Sequence, residues 1–226
     1  MARNTRNYTP DEKRILAKGY QDLRGFVNGF RAVQKGFLWG FLDEKDKPIT
    51  KFIYTMVEDF NEEGFAKVTR EGTYRNETRG WQGVINSEGI ETIKCNNNLV
   101  FLSKDKIARR AVGEFYVYTC QVTGEDITKK FPHAKDFYNG FARVSQDGEK
   151  WTSINKKGQP ATNLENLYAL VGEMQQLKVE GFDLDTDKEV EKMGADFAYL
   201  LTPHLEALQE ERKHGPRKFV PKMLED

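Results

Sequence analysis

Between residues 20 and 162 the apolar positions of this chain alternate with polar ones, the period-two signature of half-buried strands. Phe65 and Lys67 alternate with Ala66 and Val68, and the same rhythm returns at Phe141 to Val144. Asn28-Gly29, Asn139-Gly140 and Asp147-Gly148 supply residues that tolerate positive φ, so each predicts a tight turn between strands. Gln146-Asp147-Gly148-Glu149 reads as a two-residue hairpin, whereas Asn86 to Gly89 and Asn155 to Gly158 read as slightly longer turns. The rhythm changes at both ends. Thr9-Pro10-Asp11-Glu12 combines an N-cap, a proline at the first helical position and a capping-box glutamate, predicting a short docking helix over 10–19. After Pro160, Leu164, Leu167, Tyr168, Val171, Met174 and Leu177 recur at spacings of three and four, the stripe of an amphipathic helix. A second capping box, Thr186 to Glu189, precedes Val190, Met193, Phe197, Leu200, Leu201, Leu205 and Leu208 at helical spacing, with Pro203 set to kink the run. Gly215-Pro216 ends it and leaves a tail, 217–226, carrying Phe219, Val220, Met223 and Leu224 among basic residues.

The strand region repeats itself. Phe26 to Val33, Phe60 to Val68 and Phe137 to Val144 share an aromatic, a short gap, Gly-Phe, small residues and a valine, with Arg31 and Ala32 reversed in the first copy. Each is followed by a tryptophan, aliphatic residues and a polar turn, starting at Trp39, Trp81 and Trp151. Gly29 to Gly64 spans 35 residues and Gly64 to Gly140 spans 76, so a degenerate copy is expected between them. Its turn falls near Gly124, 35 residues after Gly89 and 34 before Gly158, and Phe115-Tyr116-Val117-Tyr118 reads as one of its strands. A single hairpin cannot bury its own apolar face, so the units must stack. The tryptophans and repeated phenylalanines, held in one phase, read as the buried ladder between units, with an aromatic platform for a ligand as the competing reading.

On these residues the chain resembles the WG-repeat proteins, named after a Trp-Gly pair that follows the hairpin turn. Trp39-Gly40 matches fully, Trp81-Gln82-Gly83 carries one inserted residue, and Trp151-Thr152 has lost the glycine. The resemblance covers roughly residues 20–162. It implies a β-hairpin repeat architecture found in bacteria and their phages, and it brings no catalytic residues to transfer.

Composition narrows the class. Thirty-five Lys and Arg balance 35 Asp and Glu, so no global field draws the chain to nucleic acid. No stretch approaches the roughly 18 apolar residues of a membrane span, and the chain starts on charged residues where a signal peptide would be apolar. Two cysteines make no disulfide framework, which points to a reducing compartment. Charge is unevenly placed: residues 1–50 hold 10 basic and 6 acidic groups, residues 163–226 hold 8 and 14. Either an acidic helix solvates one end, or copies dock head to tail.

Chemistry is hard to find. Asp183, Asp185 and Asp187 open like a calcium loop, but Lys188 stands where the glycine belongs and Gly194 where the bidentate glutamate belongs. His133, His204 and His214 show no zinc spacing, none of the four serines sits in Gly-x-Ser-x-Gly, and no phosphate-binding glycine loop occurs. Cys120 reads as core and Cys95 as an exposed residue without nucleophile context. Glu62-Glu63 falls at the repeat position of Asn28 and Asn139, a turn. The densest basic cluster, Lys104 to Arg110, falls in the degenerate copy and reads as a solvated loop or as a contact with an acidic partner, the chain's own acidic helix included.

The expected fold is mainly β: about four stacked hairpin units, one degenerate, over 20–162, with an N-terminal helix or arm (1–19), a helical C-terminal segment (163–214) and a tail (215–226). The expected function is a non-enzymatic interaction or scaffolding module whose partner is another protein or copies of itself, with no membrane contact, nucleic acid disfavoured and no cofactor or metal. Its candidate contacts are Lys104, Lys106, Arg109, Arg110, Phe197, Leu201, Leu205, Leu208, Phe219 and Met223. An amphipathic helix or tail offers such anchors to a partner groove, or caps the repeat stack. The rival readings are a phage protein (a virion component, or an inhibitor of a host defence protein) and a degenerate hydrolase with its site in the third unit. Cytoplasm is the expected location, a virion the alternative.

Overall fold

The computed structural model describes residues 7–74, 77–162, 165–166 and 169–171. Alternation becomes strand: among the described residues, thirteen strands form four antiparallel sheets in chain order. The first holds β1 (Asp22–Val27), β2 (Phe30–Lys35) and β3 (Leu38–Leu42). The second holds β4 (Met56–Val57), β5 (Phe65–Tyr74), β6 (Glu77–Asn86) and β7 (Glu91–Asn97). The third holds β8 (Val100–Phe101), β9 (Ile107–Val112) and β10 (Phe115–Cys120), the fourth β11 (His133–Ala134), β12 (Phe141–Ser145) and β13 (Trp151–Asn155). Bridges from Trp39 to Tyr54, Tyr116 to Phe131 and Ile154 to Pro160 add a fourth extended segment to sheets one, three and four. Each unit is therefore one antiparallel meander.

The degenerate unit contains the missing motif under another spelling. Register pairs Val33 with Gly40, Val68 with Gly83, Arg110 with Val117 and Val144 with Thr152. Lys106-Ile107-Ala108 thus takes the place of Gly64-Phe65-Ala66 and Gly140-Phe141-Ala142. The basic cluster is accordingly a turn and a strand, β9, where a loop was one expectation.

Strand alternation gives each sheet a forward and a rearward face, and both are buried. Ala32 and Phe41 of the first unit meet Tyr54, Val57, Phe60, Ala66, Val68 and Ile85. On the other side of the second sheet, Phe65, Val84 and Ile93 meet Val100 and Ala108. Ile107 and Tyr118 meet Ala134, Phe137, Ala142, Val144 and Ile154 in turn. Phe41 against Phe60 and Tyr118 against Phe137 are the same edge-to-face contact, each with centroids 4.9 Å apart. Turn glycines set the spacing between units. A Cβ on Gly89 would lie 2.0 Å from the Ile49 carbonyl oxygen, and one on Gly124 the same distance from that of Thr92.

Among the described residues the first unit has no sheet behind it, and α1 (Pro10–Leu16) fills the place. Thr9 and Glu12 close the capping box predicted for it. Ile15 packs on Leu23, Val33 and Leu42. The reversed Arg31-Ala32 pair follows from this: Arg31 faces the helix and pairs with Asp11 at 2.7 Å, while Ala32 keeps the forward contact. At the far end, Asn166 accepts the Ser153 N–H at 2.6 Å, and Ala169 and Leu170 are buried. Backbone at 165–166 and 169–171 is helical, as the C-terminal periodicity predicted there. The expected second helix and tail lie outside the described residues.

Two expectations require correction. The tryptophans are only half-buried, Trp39 packing at the edge of the first inter-unit core, and the buried ladder is built from the repeated Phe60 and Phe137 together with Phe41 and Tyr118. The physical reason is position: Trp151 stands at the first residue pair after its turn and Trp39 at the second, near the sheet margin, and the residue inserted after Trp81 shifts it out of phase, leaving Gln82 opposite Thr69. The Asp147-Gly148 turn is also longer than two residues, because Ser145 pairs with Trp151. Asp147 accepts the N–H groups of Glu149 and Lys150, both at 2.8 Å, and these bonds hold its carboxyl down at about 2.

Candidate functional site

Packing brings chemistry-bearing side chains together between the first two units. Tyr54 donates its hydroxyl to Glu91 at 3.2 Å, Arg70 pairs with the same carboxylate and lies over the Tyr54 ring, and Cys95 sits 3.9 Å from Glu91. Burial, then the Glu91 charge, pushes the Cys95 thiol up to about 12, so it stays protonated and unreactive at neutral pH. Burial likewise raises the Tyr54 hydroxyl. The expected exposure of Cys95 is not observed, since β7 presses it half-buried against the first core. This group joins two sheets.

Cys120 stands half-exposed at the end of β10, rather than in the core. Burial raises its thiol, but hydrogen bonds from Thr123 and Val122 outweigh that and bring it below its ordinary value. Among the described residues no three His, Cys, Asp or Glu side chains gather to hold a metal ion. Nor is any described helix long and apolar enough to cross a membrane.

The basic candidates divide into two pairs. Arg109 is bonded to Asp136 at 2.7 Å and stacked between Phe101 and Tyr116. Arg110 bonds Asn97, Thr119 and Asp126 at 2.5 to 2.6 Å. Both join units. Lys104 and Lys106 are exposed on the turn before β9, Lys104 standing 3.8 Å from Glu62. Between them Asp105 accepts the Gly140 N–H at 2.9 Å and pairs with Lys156 at 2.6 Å. The remaining candidates, Phe197, Leu201, Leu205, Leu208, Phe219 and Met223, lie outside the described residues.

One surface element was not anticipated. β5 and β6 are ten residues long, where the central strands of the other units have five or six. β4 pairs only to Thr69 and β7 only to Gln82, so residues 70–74 and 77–81 form a two-stranded arm outside the sheet. Its Glu71, Thr73, Thr78, Arg79 and Gly80 are exposed, and Trp81 lies against Gly72. A signal existed in the sequence: fifteen positions separate Val68 from Gly83, where seven separate Val33 from Gly40.

Known proteins resemble parts of this chain. The model of the WG containing repeat matches residues 39–74 and 127–151, the latter covering part of the fourth unit. Those two segments are similar to the WG containing repeat. Gly40, within the first matched segment, has a steric cause: a Cβ there would lie 2.9 Å from the Phe52 ring, and one on Gly83, outside the match, would lie 2.6 Å from the Ile93 carbonyl oxygen. No curated protein matches the sequence. Solved structures similar to part of it include a eukaryotic initiation factor, at 12% identity over 63% of this chain and 43% of that one, with a TM-score of 0.41. Another is KlHsv2 with loop 6CD replaced by a Gly-Ser linker, at 11% identity over 63% and 50%, with a TM-score of 0.36. Kluyveromyces lactis Hsv2 itself matches at 15% identity over 60% and 48%, with a TM-score of 0.28. The chain spans half or less of each, and likenesses of this degree carry no argument about its fold or role.

Proposed function

We propose that this chain is a non-enzymatic polypeptide-binding module built on WG-type repeats. The β5–β6 arm is the observation that supports it. An isolated two-stranded ribbon is marginal in water, and its open edges invite pairing with another chain. Beyond Arg70, which joins the sheets through Glu91, the arm adds nothing to the cores between units, so its natural use is to meet a partner by strand addition or through the Trp81 face. A β-rich repeat scaffold whose polar clusters serve to join sheets fits the same reading. The partner is another protein or a second copy of this chain.

The test is photo-crosslinking in cells from Thr73 and Phe37, exposed positions on the arm and on the β2–β3 turn. A discrete protein adduct from Thr73, lost when Thr78→Lys and Trp81→Ala alter the arm's surface without changing the far-ultraviolet spectrum, is the expected result. Absence of any adduct from both positions removes the binding reading. An adduct from Phe37 that survives loss of the arm moves the surface away from it. Sedimentation of the purified chain separates a foreign partner from self-association.

A further inference from the structure

The four units act as controls for one another, and one residue stands out against them. The turn leading into β5 runs Asn61-Glu62-Glu63-Gly64, closed by the Gly64 N–H donating to the Asn61 carbonyl at 3.1 Å. The turn leading into β9 has the same form, Ser103-Lys104-Asp105-Lys106, closed by the Lys106 N–H donating to the Ser103 carbonyl at 3.2 Å. The closing residue is left-handed in both, with φ of +82° at Gly64 and +60° at Lys106. Gly29 and Gly140 occupy the position in the other units, at +86° and +91°. Glycine accepts this conformation freely, whereas a long side chain with a Cβ is strained by it. Such strain persists only where the surroundings over-determine the backbone. Here they do: Asp105 is tied to the Gly140 N–H and to Lys156, and the Lys106 carbonyl accepts the Gln121 N–H at 2.9 Å.

The strain has no structural return. Lys106 is exposed, and its ammonium has no hydrogen-bond or ion-pair partner among the described residues. Lys104, two residues earlier, is also exposed. Asp105, the acidic residue between them, is neutralised by Lys156, and Lys104 stands in an exposed pair with Glu62 at 3.8 Å, so Lys106 is the ammonium that the turn presents outward unpaired among the described residues. It lies beside Glu62, at the end of β5 opposite the arm, and is therefore a separate surface.

We infer that the Lys104–Lys106 turn is a contact for an acidic polypeptide segment, with Lys106 placed in a strained conformation to present its charge. Isolated carboxylates fit better than a continuous polyanion, because Glu62 beside Lys104 would repel an unbroken phosphate backbone. The inference goes beyond the binding reading above and does not need the arm.

The experiment uses the full chain and a fluorescein-labelled peptide of alternating Glu and Ser, followed by fluorescence anisotropy. Binding should weaken between about 20 and about 200 mM salt, as screening requires. Lys106→Gly should lose about fivefold or more in affinity while its Tm stays level or rises by about 2 °C, since strain is relieved. Lys106→Arg should stay within about twofold of the native chain. Equal binding by Lys106→Gly, or no binding by the native chain, overturns the inference, and a fall in Tm for Lys106→Gly overturns the strain argument beneath it. Tighter binding of a single-stranded oligonucleotide than of the peptide overturns the choice of partner. An arm adduct that persists while the peptide fails to bind leaves the binding module standing and removes this contact alone.

Discussion

Replacing Gly89 by alanine tests the stacking of the units most directly. Two terms act at that residue. Its φ is +78°, which disfavours any Cβ by about 1 kcal/mol. The new methyl would also lie 2.0 Å from the Ile49 carbonyl oxygen and 2.8 Å from its carbon. Those atoms belong to the backbone of the preceding unit and have no rotamer with which to yield. The sheets must part locally, and overpacking of this kind costs about 1–3 kcal/mol. Gly113 separates the terms, because it has φ +66° but nothing within 4 Å of the point where a methyl would stand. Gly113→Ala should therefore lose about 1 kcal/mol and Gly89→Ala about 3–4 kcal/mol. Gly124→Ala, facing the Thr92 carbonyl at 2.0 Å, should match Gly89→Ala. Gly158→Ala, with 2.9 Å to the Ile127 carbonyl, should fall between. Urea denaturation at unchanged m-value reads the difference. If Gly89→Ala and Gly113→Ala agree within about 0.5 kcal/mol, the glycines do not set the inter-unit distance and the stacking account fails.

Phe137→Ala removes a buried ring from the last inter-unit core and should cost about 3–5 kcal/mol, against about 1–2 for half-buried Trp151; urea midpoints in the reverse order would return the tryptophans to the core. Asp147 should titrate by carbon-detected NMR with a midpoint near 2, below the 3.8 of a free side chain. Its folded pKa is depressed, so its contribution to stability is complete above about pH 4 and fades as the pH falls toward 2; a midpoint at or above 3.8 contradicts the turn geometry. With each cysteine left alone by changing the other to serine, iodoacetamide should alkylate Cys120 much faster than Cys95 near about pH 7.5, measured by mass spectrometry, and comparable rates would contradict the burial of Cys95 by β7.

The helix α1, the meander units and their period were legible in the residues, because capping boxes, turn glycines and strand alternation act over a few neighbours. The face that each strand residue meets was not legible. Phe41 and Trp39 look equally suited to a core, yet Phe41 is fully buried against the next sheet while Trp39 packs on the same core half-buried at its margin, a distinction set by distance from the turn. The third unit looked signature-poor because its Gly-Phe had become Lys106-Ile107, and only the pairing of β9 with β10 aligned it. Arg109 and Arg110 looked like free charge beside Lys104 and Lys106. Strand alternation turns Arg109 forward onto Asp136 and Arg110 rearward onto Asn97, leaving the turn lysines outside. Sequence determined what was local: which residues cap, turn or alternate. Tertiary structure alone decided which charges were consumed between sheets and which faced water, since that depends on partners 13 to 27 residues away along the chain.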